Sequence, residues 1–155
     1  MKKKILFGLL IVFLAIQAVR PAKNLAAPAV FSGKDDVTAL FPPSPEVRKI
    51  LQSSCYDCHS NRTEYPWYAE VQPVGWWLAS HIKDGKKQLN FSEFGAYSAK
   101  RQGKKFEALC DEARDHSMPL GSYTLIHRGA KLSEAQVNAL CQWAEDAQDK
   151  IVEKQ

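Results

Sequence analysis

The residues best placed to do chemistry are Cys55, Cys58 and His59, in the stretch "SSCYDCHSNRTEYPWY" that begins at Ser53. Zinc sites, redox dithiols and covalent haem attachment all use cysteines at this spacing. C-x-x-C-H is the attachment pattern of c-type haem. Each thiol adds across a porphyrin vinyl group, forming a carbon–sulfur bond while the thiol hydrogen goes to the neighbouring carbon. The adjacent histidine is then placed to reach the iron as proximal ligand. A tetrahedral zinc site needs further ligands in a second close pair, and Cys110 and Cys141 are far apart. A thioredoxin-like dithiol belongs beside a βαβ pattern, which is missing. A disulfide between Cys55 and Cys58 leaves His59 unexplained. Haem uses all three residues.

A second axial ligand would close the iron, and Met118, His81, His116 and His127 are the candidates. Met118 leads: "HSMPLGSY" places it after a helix, where Pro119 stiffens the loop, an arrangement that resembles the distal strap of monohaem cytochromes c. The competing reading is a methionine buried against aromatics. His81, on a helix beside Trp76 and Trp77, is the runner-up ligand or a hydrogen-bonded pocket residue. His116 is expected to face solvent, and His127 to sit in a turn before the last helix. His59 should donate its second ring N–H to a fixed acceptor, for which the Pro73 carbonyl is proposed from sequence. Tyr65, Trp67, Tyr68, Trp76 and Trp77 are a candidate haem wall that overlaps with an ordinary small core. Arg62 is a candidate propionate partner or a solvated arginine.

Helices must position these groups. Ser44 is a good N-cap, Pro45 suits the first helical position, and Val47, Ile50, Leu51 and Ser54 share a stripe that runs into Cys55. A second helix opens at Pro73 and is expected to end near Gly85. "LNFSEFGAY" reads as a short turn with two aromatics for the core. A third helix carries Phe106, Leu109, Cys110 and Ala113. The last opens on a Ser133–Gln136 capping box, with Leu132 and Val137 as a hydrophobic staple. No stretch alternates over strand length, so the expected class is small and all-α, with long irregular loops.

The chain begins "MKKKILFGLLIVFLAIQAVRPAKN". Three lysines precede an apolar run from Ile5 to Val19, and Arg20, Pro21 and Lys23 close it. Residues 1–23 are therefore a signal anchor or a signal peptide. An apolar run of about fifteen residues spans some 22 Å, against roughly 30 Å of hydrocarbon. The basic flanks permit an uncleaved anchor, and Ala18 is an imperfect cleavage point. Residues 24–43 read as a tether, folding back at Phe31 and Leu40, and residues 44–155 as the haem-binding domain. The expected location is the periplasmic side of the inner membrane, anchored by residues 5–19 or released by cleavage. In that oxidising compartment the remaining even pair, Cys110 and Cys141, suggests a disulfide; two inert buried thiols are the alternative. The net charge of +4 leans on the leading lysines, and no basic stripe with interleaved aromatics suggests nucleic acid.

"CYDCHSNRTEYPWY", "PVGWW", "HIKDGKKQLNFSEF", "MPLGSYTLIHRGAKLS" and the tryptophan of "ALCQWAE" together resemble the bacterial haem-binding domain family, from about Ser44 to Ala144. That resemblance implies a small, exported, cytochrome-c-like helical domain around one covalent c-type haem, in many cases preceded by an N-terminal membrane segment. The expected function is single-electron transfer to a redox partner protein that the sequence does not name. The alternative is a redox or small-molecule sensor with an open or weak distal site. No nucleophile–base pair or carboxylate dyad stands out, so no enzymatic activity is expected.

Overall fold

The computed structural model describes residues 1–26 and 33–153. In chain order its helices are α1 (Lys2–Ile16), α2 (Val37–Leu40), α3 (Pro45–Ser54), α4 (Tyr56–His59), α5 (Val74–Gln88), α6 (Ala99–Arg114), α7 (Gly121–Ile126) and α8 (Glu134–Val152). Single 3-10 turns occupy Trp67–Glu70, Phe91–Ala96 and Arg128–Ala130. Among the described residues there is no strand, only an isolated bridge between Leu25 and Arg62.

Helices α2, α3, α6 and α8 start where a short polar side chain takes a free backbone N–H. Asp36 accepts from Thr38 ahead of α2, Ser44 from Val47 ahead of α3, and Ser98 from Arg101 ahead of α6. Before α8 the Ser133 hydroxyl and the Gln136 amide satisfy each other's backbone in both directions.

Their apolar faces build two unequal clusters. In the larger, α6 and α8 pack along each other and α3 lies against α8. Phe106, Cys110 and Ala113 of α6 meet Val137, Leu140, Cys141 and Ala144 of α8, with Ile50 and Leu51 of α3 beneath. Phe41, Phe94 and Trp143 surround Phe106 with ring centroids 4.9–5.3 Å away, and the Trp143 indole donates to the Phe41 carbonyl at 3.1 Å. The Cys110–Cys141 disulfide ties α6 to α8. The smaller cluster holds only Ala69, Leu78 and Ile82 as buried members.

Three sequence expectations are corrected. The stretch read as a tether is part of the domain from Gly33 onward. Asp36, Val37 and Phe41 are buried, whereas Leu40 is exposed and Phe31 lies outside the described residues. The buried Asp36 carboxylate accepts from the Tyr56 hydroxyl at 3.0 Å and from Thr38 N and Oγ1 at 2.8 and 2.7 Å. These bonds compensate its desolvation. Asn24 is also fixed, its amide donating to Ser60 O and Thr63 Oγ1. Second, α5 continues through Gly85 to Gln88. Third, α1 stops at Ile16, short of Val19, and buries none of its residues. No helix among the described residues is long and apolar enough to cross a membrane.

Candidate functional site

The C-x-x-C-H motif sits on the seam between the two clusters. Cys55 packs against the larger and Cys58 against the smaller. Cys55 itself is non-helical, with φ −128°, so the chain breaks step between α3 and α4 and presents the motif as a separate turn. His59 Nδ1 is 3.0 Å from the carbonyl oxygen of Leu89. A carbonyl only accepts, so Nδ1 carries the proton and Nε2 keeps a lone pair. Burial pushes the imidazole below the ordinary histidine pKa, overcoming the opposing effect of the Leu89 carbonyl. A neutral imidazole of fixed tautomer is the form that ligates a metal.

The acceptor is therefore Leu89, not Pro73. The Pro73 carbonyl is taken by Trp77 N at the start of α5. The sequence signal for Leu89 was weak, because a backbone acceptor depends on where a helix ends and not on which side chain follows it.

Two cavities of about 240 and 300 Å³ adjoin the motif, both walled by Ser54, Cys55, His59, Gln88, Met118 and Pro119. The first extends towards Phe91, Lys105, Leu109 and Leu140, and the second towards Cys58, His81, Asp84, Gly85 and Tyr123. Singly they lie at or below the small end of ligand pockets; with six wall residues in common, together they reach cofactor size. Burial pushes the Cys55 thiol up to about 12, with Cys58 adding to the shift. Burial and then Asp57 push the Cys58 thiol up to about 11. Both sulfurs are free and carry hydrogen at neutral pH. A structural zinc would need a closed set of four protein ligands. Among the described residues, no group of three or more His, Cys, Asp or Glu could hold a metal ion. The donor set, the mixed apolar cavity and the free imidazole nitrogen fit a haem.

Met118 reaches the cavities on a short strap. After α6, His116 adopts a left-handed φ of 55° that turns the chain, and the N–H groups of Ser117 and Met118 both donate to the Glu112 carbonyl at 3.1 Å. The disulfide at Cys110 holds the end of α6 that carries this strap. His116 is exposed and 3.4 Å from Glu134.

The other candidates divide. His81 lines the second cavity, and the Trp77 ring packs against it at a tilt, centroids 4.3 Å apart. Trp67 is 80 % exposed, its ring set edge-on to Tyr68, and lines neither cavity. Tyr65 packs with the smaller cluster and accepts from Asn24 N at 2.8 Å. None of Tyr65, Trp67, Tyr68, Trp76 and Trp77 lines either cavity. Arg62 donates to the Ala26 carbonyl, and Lys105 is the cation lining the first cavity. His127 accepts or donates to the Tyr68 hydroxyl at 2.6 Å and stacks on Tyr123.

Tyr123, Lys105 and Gly85 are among the cavity residues not picked out as site residues from sequence. The Tyr123 hydroxyl donates to Asp57 Oδ2 at 2.7 Å, closing the rim beside Cys58. Lys105 was hidden among other α6 lysines. Gly85 lets α5 approach the motif: a Cβ there would lie 2.8 Å from the Cys58 carbonyl oxygen. A glycine inside an otherwise good helix is a readable signal for such an approach.

No curated protein and no solved structure matches the chain. One family model, described as a haem-binding domain, matches residues 11–146. The match spans the motif, both cavities and most of the 155 residues, and the chain belongs to the haem-binding domain family.

Proposed function

We propose that the chain holds one haem covalently through Cys55 and Cys58 and carries single electrons on the periplasmic side of the inner membrane, held there by its N-terminal segment. The carrying observation is that Cys55, His59 and Met118 wall the same two adjoining cavities. When bound, the haem supplies a one-electron iron couple. Cys55 and Cys58 would hold its vinyl carbons as thioethers. His59 would hold the iron through Nε2 while Leu89 fixes the ring, and Met118 would offer it a thioether sulfur. Lys105 offers a positive charge to a propionate. Phe91, Leu109 and Leu140 exclude water from the first cavity, which favours outer-sphere transfer over reaction with solvent. No residue is assigned a catalytic role.

The test is the absorption spectrum of the haem-loaded chain, with and without carbon monoxide. A six-coordinate electron carrier resists carbon monoxide and shows a methionine–iron band that Met118→Ala removes. Ready uptake of carbon monoxide by the unmutated chain would support the sensor reading instead. A methionine–iron band that survives Met118→Ala would exclude Met118 as ligand.

A further inference from the structure

The start of α5 and the turn before it expose an apolar face that the haem site does not use. Trp67 is 80 % exposed, Trp77 45 %, Val74 38 % and Val71 36 %. The same place receives the end of α1. The Gln17 side chain, one residue past that helix, clamps the backbone of Gln72 from both sides: its oxygen accepts from Gln72 N at 2.8 Å and its amide donates to Gln72 O at 3.2 Å. The Trp76 indole donates to the Val19 carbonyl at 2.7 Å, and Arg20 and Lys23 both pair with Glu70. There is no slack between α1 and this face.

From Ile5 to Ile16, α1 is apolar on every side, and it buries none of its residues against the domain. A helix that is apolar all round calls for apolar surroundings. Yet its fifteen residues reach only about 22 Å. A helix shorter than the hydrocarbon layer is accommodated by bringing its flanks to the interface. Here the flank is the folded domain itself, and tryptophan is a side chain that favours the interface.

We propose that Trp67, Val71, Val74 and Trp77 form a docking face that rests on the lipid bilayer into which α1 inserts, so that the haem cavity is held at a fixed orientation to the membrane. This rests on the anchoring read into the proposed function. His81 links the two, lining the second cavity while the Trp77 ring packs against it.

The test uses the full haem-loaded chain in vesicles of phosphatidylethanolamine and phosphatidylglycerol. With Cys55 and Cys58 in thioethers and Cys110 and Cys141 in a disulfide, one introduced cysteine is the free thiol. Ile11→Cys, Val71→Cys and Lys104→Cys are each treated with a membrane-impermeant maleimide; Lys104 is exposed on α6. The docked arrangement gives a protected Ile11→Cys thiol and a Val71→Cys thiol that reacts several-fold more slowly than Lys104→Cys. Adding Trp67→Ser and Trp77→Ser should then speed reaction at Val71→Cys. If Ile11→Cys is protected while Val71→Cys reacts as fast as Lys104→Cys, the docking face is overturned and the anchor stands. If Ile11→Cys reacts freely, or leaves with a cleaved segment, the anchor is overturned and docking with it.

Discussion

The two walls of the cavity are held by different forces. The α6–α8 wall belongs to the larger cluster, with interlocked aromatic rings and a disulfide across it. The α5–α7 wall backs onto a cluster of three buried residues and is closed by hydrogen bonds, Tyr123 to Asp57 and Tyr68 with His127. Buried apolar area is the dominant stabilising term, and a hydrogen bond adds only about 0.5–1.5 kcal/mol net. One wall is therefore self-sufficient. The other would gain core from a haem held in the cavity. Cys55 and Cys58 stand one on each side of that divide, so thioethers at both would staple the weak wall to the strong one.

Removing the staples should expose the difference most. Cys55→Ser with Cys58→Ser should abolish covalent haem. Hydrogen exchange should then accelerate across α5 and α7 while α6 and α8 stay protected. Uniform loss of protection would mean the walls are one cooperative unit.

The next largest effect is on the strong wall. Cys110→Ser with Cys141→Ser opens a loop closed at a separation of 31 residues, a constraint worth about 3–4 kcal/mol. Urea denaturation should register that loss, and an unchanged midpoint would show that packing alone holds α6 to α8.

On the weak wall, Gly85→Ala forces a methyl against the Cys58 carbonyl. Overpacking of this kind costs about 1–3 kcal/mol. The melting temperature should fall and haem loading with it; an unaltered melt would mean that α5 can shift away freely.

The smallest effect lies at Glu70. The Lys23 hydrogen bond, with further help from Arg20, holds its carboxyl below the ordinary glutamate value. A depressed carboxyl contributes stability above its unfolded pKa and loses it as pH falls through the folded one. Melting of Glu70→Gln and the parent should differ slightly at neutral pH and converge in acid. A difference that persists in acid would rule out this ion pair as the cause. Exposed pairs are weak and salt-screened, so added salt should also narrow the gap.

The strong wall was the legible one. Ser44, Ser133 and Gln136 announce their helices through chemistry local to a few residues, and the 3.6-residue stripe of Val137, Leu140, Cys141 and Ala144 declares its buried face. The motif at Cys55, Cys58 and His59 was legible for the same reason, since its spacing is its chemistry. The weak wall was not, because its contacts are long-range. Leu89 serves His59 from thirty residues away, and Gly85 matters only because Cys58 lies opposite. Asp36 looked like part of a polar tether because its burial depends on Tyr56, twenty residues on. Trp67 and Trp77 were aromatic enough for a core, but their positions on the turn and on α5 turn them outward.

The most direct measurement is the intact mass of the matured, purified chain after unfolding in acid, with its absorption spectrum recorded alongside. Covalent attachment predicts that one haem stays on the unfolded polypeptide and keeps its Soret absorption, and that both vanish in the Cys55→Ser, Cys58→Ser variant. A haem that separates from the chain on unfolding, or a polypeptide with the mass of its amino acids alone, would contradict thioether attachment at this motif.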